Sequence, residues 1–160
     1  MAQMEQTMTN DLPVTLQELK DHLHITSDDF DTSLQNDLNA AIAAAQAFTS
    51  IDIRQRVVPV SVPFVKTITC PENARIENLM VDGKEIDCQK VNNIIYVGVD
   101  SGEKISYSVV YGYTSDNCPE DIKMAILLTA ARYFNNPVDS VEQLPKASTA
   151  LLRTHKRYMI

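Results

Sequence analysis

The run of nineteen residues at positions 118–136, CPEDIKMAILLTAARYFNN, constrains this chain more than any other. Pro119 suits the first position of a helix, and Glu120 and Asp121 complement the positive end of the helix dipole. Pro137 ends the helix, because the residue before a proline is disfavoured in the α region. Almost no polar face remains between these signals, which is typical of a helix that is buried on several sides. The run is too short and too interrupted to span a membrane, so we predict the central helix of a packed unit.

The apolar residues of this helix exceed what one neighbouring element could cover. We therefore expect part of the surface to be covered within the fold and the remainder by a neighbouring subunit. The candidates for core or subunit interface are Ile122, Ile126, Leu127, Tyr133 and Phe134.

Two further helices are predicted before it. Thr15 and Glu18 form a capping box, which predicts a short helix ending near His24. Ser27 or Asp28 is expected to cap a second helix, at about residues 28–50. Its apolar residues recur at helical spacing and its alanine-rich stretch favours helix and close packing.

The composition changes after residue 51, where β-branched residues become frequent. Pro59 and Pro63 restrict the first strand to a sheet edge or a bulge. Asp82-Gly83 is a strong hairpin signal, and residues 104–113 alternate between apolar and polar. These patterns predict an antiparallel meander of five or six strands.

The predicted fold class is α+β, with a helical core of about four helices and the β meander inserted between helices two and three. We expect one domain over residues 1–160. Its parts are a flexible N-terminal arm at 1–12, a helical core at 13–50 and 117–136, an inserted β lobe at 56–113 and a C-terminal helix or tail at 144–160.

Charge and cysteine content limit the class of protein. The formal net charge is −7 and the pI is near 4.8, which disfavours electrostatic binding to nucleic acid. The three cysteines are odd in number and widely spaced, as expected for reduced thiols in a cytoplasmic chain. The N-terminus does not resemble a signal peptide, and no apolar run is long enough for a membrane span.

No enzyme motif emerges from the sequence. His22 and His24 lie two residues apart, which is not the spacing of a helical zinc site, and neither a nucleophile elbow nor a phosphate-binding glycine loop is present. We therefore expect no catalytic residue, cofactor or metal. Two alternatives stay open: a small ligand-binding or enzymatic α+β domain, and a nucleic-acid-binding helical module.

The C-terminal helix is basic on an otherwise acidic chain. Basic residues near the end of a helix are favoured by its dipole, which is one explanation. The other explanation is a tail whose apolar side chains dock into another protein, with basic residues around them. The residues of this candidate docking segment are Leu151, Leu152, Arg153, Lys156, Arg157, Tyr158 and Met159.

Three segments resemble the head-tail connector (adaptor) proteins of long-tailed bacteriophages. These are LQELKDHLHI at residues 16–25 with the LxxxLxxAIAAA pattern at 34–45, CPEDIKMAILL followed by RYFNNP at 118–137, and ALLR followed by KRY at 150–158. The β insertion matches the longer members of the family in position and length. The chain departs from the family where Ser50 to Arg54 lacks the usual glycine, and where Thr154 to Lys156 lacks the usual proline.

The resemblance implies a structural role without catalysis. Proteins of this family form a ring, commonly of twelve copies, that binds the portal protein and the next neck component, a stopper or tail terminator. The ring extends the channel through which genomic DNA passes without specific binding. The implied location is the virion neck, with the host cytoplasm during assembly, and the docking segment would then bind the portal.

Overall fold

The computed structural model describes residues 7–8, 11–72, 74–136 and 144–157. The chain groups into two compact units. The helical unit comprises Asp11–Arg54 and Tyr113–Ile160, and the β unit comprises Met1–Asn10 and Gln55–Gly112.

In the described part of the chain, four helices build the helical unit. They are α1 (Leu16–Leu23), α2 (Asp31–Thr49), α3 (Glu120–Asn135) and α4 (Lys146–Leu152), and α4 continues into a 3-10 turn at Arg153–His155. Helix α3 is the predicted central helix, and Pro119 occupies its N-cap, one position before the predicted one.

The start and end of α1 follow the prediction. The Glu18 N–H donates to Thr15 Oγ1 at 3.1 Å, and the Thr15 N–H donates to Glu18 Oε2 at 2.7 Å. This reciprocal pair is a capping box, which satisfies two donors that a helix start otherwise leaves unpaired. The helix ends at His24, which adopts the left-handed conformation with φ 57°.

The predicted cap of α2 is wrong. Phe30 occupies the N-cap position and makes no side-chain capping bond. Asp28 instead accepts from Lys20 Nζ at 2.5 Å, and Lys20 also donates to Asp31 Oδ1 at 2.8 Å. Lys20 is only 5% exposed, and its bonds to the two carboxylates compensate for the water that its side chain loses on burial.

Helix α3 packs in the core of the helical unit. Ile122, Ile126 and Leu127 are buried there, and Tyr133 and Phe134 are half-buried against it. The buried apolar residues of this core are Val14, Leu19, Leu34, Leu38, Ala41, Ile42, Ala45, Ile51, Ile53, Cys118, Ile122, Ala125, Ile126, Leu127, Ala130 and Leu152.

Among its described residues, the β unit contains eight antiparallel strands in two sheets. The five-stranded sheet has the order β1-β2-β8-β4-β5, and the three-stranded sheet has the order β3-β7-β6. The strands are β1 (Thr7–Met8), β2 (Arg56–Pro63), β3 (Thr67–Thr69), β4 (Ala74–Val81), β5 (Lys84–Glu85), β6 (Cys88–Val91), β7 (Ile94–Val97) and β8 (Lys104–Tyr111). The α+β class and the inserted antiparallel strands are confirmed, and β8 lies between β2 and β4 rather than at the end of a chain-order meander.

Two parts of the segment predicted to be a flexible arm have defined contacts. Thr7 pairs with Val57 and Met8 pairs with Arg56, which adds a short strand to the edge of β2. Leu12 packs against the core of the helical unit. The other residues of positions 1–10 lie outside the described ranges.

Candidate interaction surfaces

A site that supports chemistry usually brings several reactive or metal-binding side chains together. The described ranges contain no group of three or more His, Cys, Asp or Glu side chains that could hold a metal ion. Their helices include none that is long and apolar enough to cross a membrane. The remaining candidate sites are surfaces of three kinds: a basic segment, an apolar sheet face and a partly exposed aromatic pair.

The basic segment follows α4, and three contacts hold it on the helical unit. His155 Nε2 lies 2.6 Å from Asp121 Oδ2, in the first turn of α3. Lys156 Nζ lies 4.7 Å from the centroid of the Phe48 ring. The backbone N–H of Arg157 donates to the carbonyl of Thr49 at 2.8 Å. We call residues 153–157 the basic tail.

The C-terminal end of α2 explains why the basic tail folds against it. The last turn of α2 contains no basic residue of its own, and the helix stops at Ser50, which is left-handed with φ 57°. Lys156 and Arg157 therefore bring positive charge to the negative end of the α2 dipole. The Arg157 N–H also satisfies a terminal carbonyl that has no partner within the helix.

Asp121 connects the basic tail to the start of α3. Partial burial of its carboxylate raises the pKa, but hydrogen bonds from His155 and from the Ile122 N–H lower it, and the net shift is downward. The carboxylate is therefore held in its charged form, which suits a helix N-terminus and a histidine partner.

The predicted docking residues fall into three groups. Leu152 is fully buried in the core of the helical unit, and Leu151 is half-buried against that core. Arg153 and Arg157 are exposed, and Lys156 is half-buried beside Phe48. Tyr158 and Met159 lie outside the described residues.

The apolar sheet face belongs to the three-stranded sheet. Val91 lies opposite Ile94, and Tyr96 follows two residues later on the same strand, so the three side chains share one face. Ile95 and Val97 point to the other face and are buried. We call Val91, Ile94 and Tyr96 the outer face; they are 54%, 39% and 46% exposed.

Sequence reasoning did not identify the outer face. In β7 all four residues, IIYV, are apolar, so no alternation distinguishes a solvent face from a buried one. An antiparallel strand with one solvated face usually alternates between apolar and polar residues. In the sequence, an apolar run without alternation between two turns was the signal that could have indicated an exposed apolar face.

The partly exposed aromatic pair joins the start of α2 to the end of α3. The rings of Phe30 and Phe134 meet edge to face, with centroids 5.7 Å apart and an interplanar angle of 79°. Phe30 remains 48% exposed. We call Phe30 and Phe134 the aromatic corner. Acidic residues flank Phe30 in the sequence, namely Asp28, Asp29 and Asp31.

The fold of the chain is similar to that of chains in structures of gene transfer agent (GTA) particles. One belongs to "Neck of empty GTA particle computed with C6 symmetry", with TM-score 0.58, 18% identity, and coverage of 98% of this chain and 97% of that chain. Another belongs to "Neck of native GTA particle computed with C12 symmetry", with TM-score 0.58, 19% identity, and coverage of 99% and 97%. A third belongs to "Virion of native gene transfer agent (GTA) particle", with TM-score 0.55, 16% identity, and coverage of 98% and 97%.

The likeness spans nearly the whole length on both sides, and at these identities it establishes a shared fold. No protein-family model matches the sequence. No curated protein matches it either.

Proposed function

We propose that this chain is a structural protein of a phage-type virion neck, of the head-tail connector (adaptor) kind. Copies of it form a ring at the portal vertex, join the DNA-filled head to the tail and extend the DNA channel. The observation that carries this proposal is the fold. Both units together, over 98–99% of the chain, have counterparts in structures described as necks of GTA particles.

The ring is the assembly that this proposal requires. The similar chains come from necks computed with C6 and C12 symmetry, and a closed ring of twelve copies is compatible with both. In such a ring the net charge of −7 per chain would disfavour adhesion of DNA to the protein. Genomic DNA would then pass through the channel without specific binding.

The basic tail is the proposed contact with the portal protein. Arg153 and Arg157 are exposed residues, and guanidinium groups form strong directional bonds to carboxylates; Lys156 lies between them in the sequence. Leu151 contributes a half-buried apolar side chain. Tyr158 and Met159 continue this segment and are included in the proposal. Leu152 supports the segment from within the core.

Size measurement tests the ring. We expect the purified chain to sediment as a small species on its own and as a closed ring when the portal protein of the same virion is added. Sedimentation velocity and negative-stain images would report both states. A chain that associates neither with itself nor with the portal under any condition would contradict the proposal.

Charge reversal tests the portal contact. We expect the double variant Arg153→Glu/Arg157→Glu to lose portal binding, because both exposed cations become anions. Lys146→Glu is the matched control, since Lys146 is an exposed cation at the start of the same α4 segment. Equal binding by the double variant and the control would show that the basic tail does not contact the portal.

A truncation after Leu152 gives an independent test. It removes the whole basic tail and retains Leu152, whose side chain the core needs. We expect a folded chain that no longer docks, as judged by far-UV circular dichroism and by co-sedimentation with the portal. Normal docking by this truncated chain would place the contact elsewhere.

A further inference from the structure

The basic tail crosses the place where two helices of the helical unit end. His155 contacts Asp121 in the first turn of α3, and the Arg157 N–H bonds to the carbonyl of Thr49 in the last turn of α2. Arg157 follows His155 by two residues, which span at most about 7 Å of chain. The start of α3 and the end of α2 therefore lie side by side, and the basic tail joins them.

The contacts that fix the basic tail leave its arginines at the surface. They use the ring of His155, the ammonium of Lys156 over the Phe48 ring, and the backbone N–H of Arg157. His155 and Lys156 are half-buried, whereas Arg153 and Arg157 are exposed. A partner can therefore reach both arginines while the tail stays in place on the helical unit.

The two arginines are fixed in different ways. Arg153 directly follows Leu152, whose side chain is fully buried in the core, and it begins the 3-10 turn. Arg157 lies beyond that turn, where the backbone has become extended at Lys156. The position of Arg157, and with it the separation of the two cations, therefore depends on the contacts that the tail itself makes.

Asp121 holds the tail with one carboxylate oxygen and its own helix with the other. Its Oδ2 lies 2.6 Å from His155 Nε2, and its Oδ1 accepts from the Ile122 N–H at 2.9 Å. The side chains of the pair are only 25% and 38% exposed, so water weakens this contact less than it weakens a fully exposed pair. Asp121 is thus a fixed point against which the tail is placed.

We infer that Asp121 is a positioning residue for the portal contact. Through His155 it fixes the basic tail, so that Arg153 and Arg157 face the partner as a preformed pair of cations. This inference rests on the proposed portal contact. A segment that is ordered before it binds loses less conformational entropy on docking, which raises the affinity. The partner surface that fits such a pair carries carboxylates, which guanidinium groups bind through two parallel bonds.

Two single variants break the Asp121–His155 pair from either side in the full-length chain. Asp121→Asn keeps the size of the side chain but removes its charge, and a neutral amide binds histidine more weakly than a carboxylate does. His155→Gln removes the ring. Glu120→Gln is the matched control, because Glu120 is an exposed acid in the same first turn of α3 and its loss leaves the pair in place.

The amide of Arg157 reports the position of the tail without any partner, because its N–H is bonded to the Thr49 carbonyl. We expect this amide to exchange about 10-fold faster in Asp121→Asn and His155→Gln than in wild type and in Glu120→Gln, as measured by hydrogen exchange and NMR. The urea midpoint should shift equally in Asp121→Asn and Glu120→Gln, since each loses one charge at the helix start. Unchanged exchange at Arg157 in both pair variants would overturn the inference.

Portal binding reports the consequence of a loosened tail. We expect the Kd for the portal protein of the same virion to rise about 10-fold in each pair variant. The double variant Asp121→Asn/His155→Gln should bind no more weakly than either single variant, because both substitutions break the same contact. Faster exchange at Arg157 with an unchanged or tighter Kd would overturn the inference, since docking would then not require a preformed tail.

The variant Arg153→Glu/Arg157→Glu separates this inference from the proposed portal contact. Loss of portal binding in that variant, combined with normal binding by Asp121→Asn, would overturn the positioning role and leave the portal contact intact. Normal binding by both variants would overturn the portal contact and the positioning role together.

Discussion

The two units use apolar residues in different ways. In the described chain, the core of the helical unit contains sixteen buried apolar residues, whereas the core between the two sheets contains six. The helical unit leaves Phe30 and Met124 exposed among its large apolar residues, and the β unit leaves five. The helical unit therefore buries most of its large apolar side chains within one chain, whereas the β unit leaves more of them exposed.

Polar interactions of the helical unit also include more deeply buried pairs than those of the β unit. In the helical unit Lys20 is buried between two carboxylates, and Thr129 and Ser148 form a fully buried hydroxyl pair. In the β unit the pair Lys66–Asp100 is open to solvent, with a separation of 3.4 Å. Because exposed ion pairs contribute little to stability, substitutions of polar groups should have larger effects in the helical unit.

The largest measurable difference should be in the labelling rates of the buried and the exposed cysteine thiols. Burial raises the pKa of the Cys118 thiol to about 12, so at pH 8 about one thiol in 10⁴ is ionised. Cys70 is also buried, whereas Cys88 is exposed on β6. We expect one fast-reacting thiol per native chain and slower labelling of the other two by several orders of magnitude. Mass spectrometry after a timed thiol-labelling pulse would assign each site.

The same experiment reports whether the units unfold together. Cys70 belongs to the β unit and Cys118 to the helical unit. With increasing urea we expect Cys70 to become reactive before Cys118, because the β unit has the smaller core. Labelling of Cys118 before Cys70 would reverse the comparison between the units.

Truncations of core side chains should give the next largest effect, a loss in the free energy of unfolding. Leu38→Ala, at a fully buried site, should lower the free energy of unfolding of the helical unit by about 3–4 kcal/mol. The matched change Leu79→Ala in the β unit should cost less, about 2–3 kcal/mol, because Leu79 is 6% exposed and belongs to a smaller core. Urea denaturation followed by far-UV and near-UV circular dichroism would measure both. A larger loss for Leu79→Ala would contradict the comparison.

The buried hydroxyl pair should give a smaller effect. Thr129 Oγ1 lies 2.7 Å from the Ala125 carbonyl and 3.0 Å from Ser148 Oγ, and it joins α3 to α4. Thr129→Val should cost about 1–2 kcal/mol, because it leaves the buried Ser148 hydroxyl without this partner. Thr149→Val is the control, since its half-buried hydroxyl bonds to the Pro145 carbonyl near solvent and should cost less. Equal losses would mean that burial of the pair is not the cause.

Local signals in the sequence predicted local structure well. The Thr15–Glu18 capping box, the Asp82-Gly83 turn and the extent of α3 depend on residues close together in the chain, and the structure contains all three. The cap of α2 could not be predicted in this way, because Asp28 is bound by Lys20, which lies eight residues earlier in a different helix.

Long-range pairing is where the sequence was least informative. Strand β8 pairs with both β2 and β4, although about forty residues separate β8 from β2, and no periodicity specifies that order. The outer face depends on the same kind of information, since Val91, Ile94 and Tyr96 become a surface only when the opposite sheet covers Ile95. The basic tail was predicted from its charge, but its contacts with Phe48 and Thr49 required the fold.

The ion pair between α1 and α3 should give the smallest effect, and its pH dependence has a defined sign. Lys123 Nζ lies 2.8 Å from Glu18 Oε1. Partial burial raises the pKa of the Glu18 carboxyl. Hydrogen bonds from Lys123 and Thr15 lower the pKa by more than burial raises it, so the net pKa is below the ordinary value of 4.5. A lowered pKa in the folded state stabilises the fold above about pH 4.5, and this stabilisation disappears as the pH falls through the folded-state pKa.

Glu18→Gln isolates that contribution, because glutamine retains the capping bond and removes the charge. At pH 7 we expect the variant to be less stable than wild type by up to about 1 kcal/mol, since the pair is partly exposed. At pH 3 the difference should shrink towards zero, because protonation neutralises Glu18 in the wild type as well. Glu77→Gln, in the solvent-exposed Arg75–Glu77 pair of the β unit, is the control and should change stability by only a few tenths of a kcal/mol at pH 7. A Glu18→Gln difference that persists unchanged at pH 3 would assign the effect to the cap and not to the ion pair with Lys123.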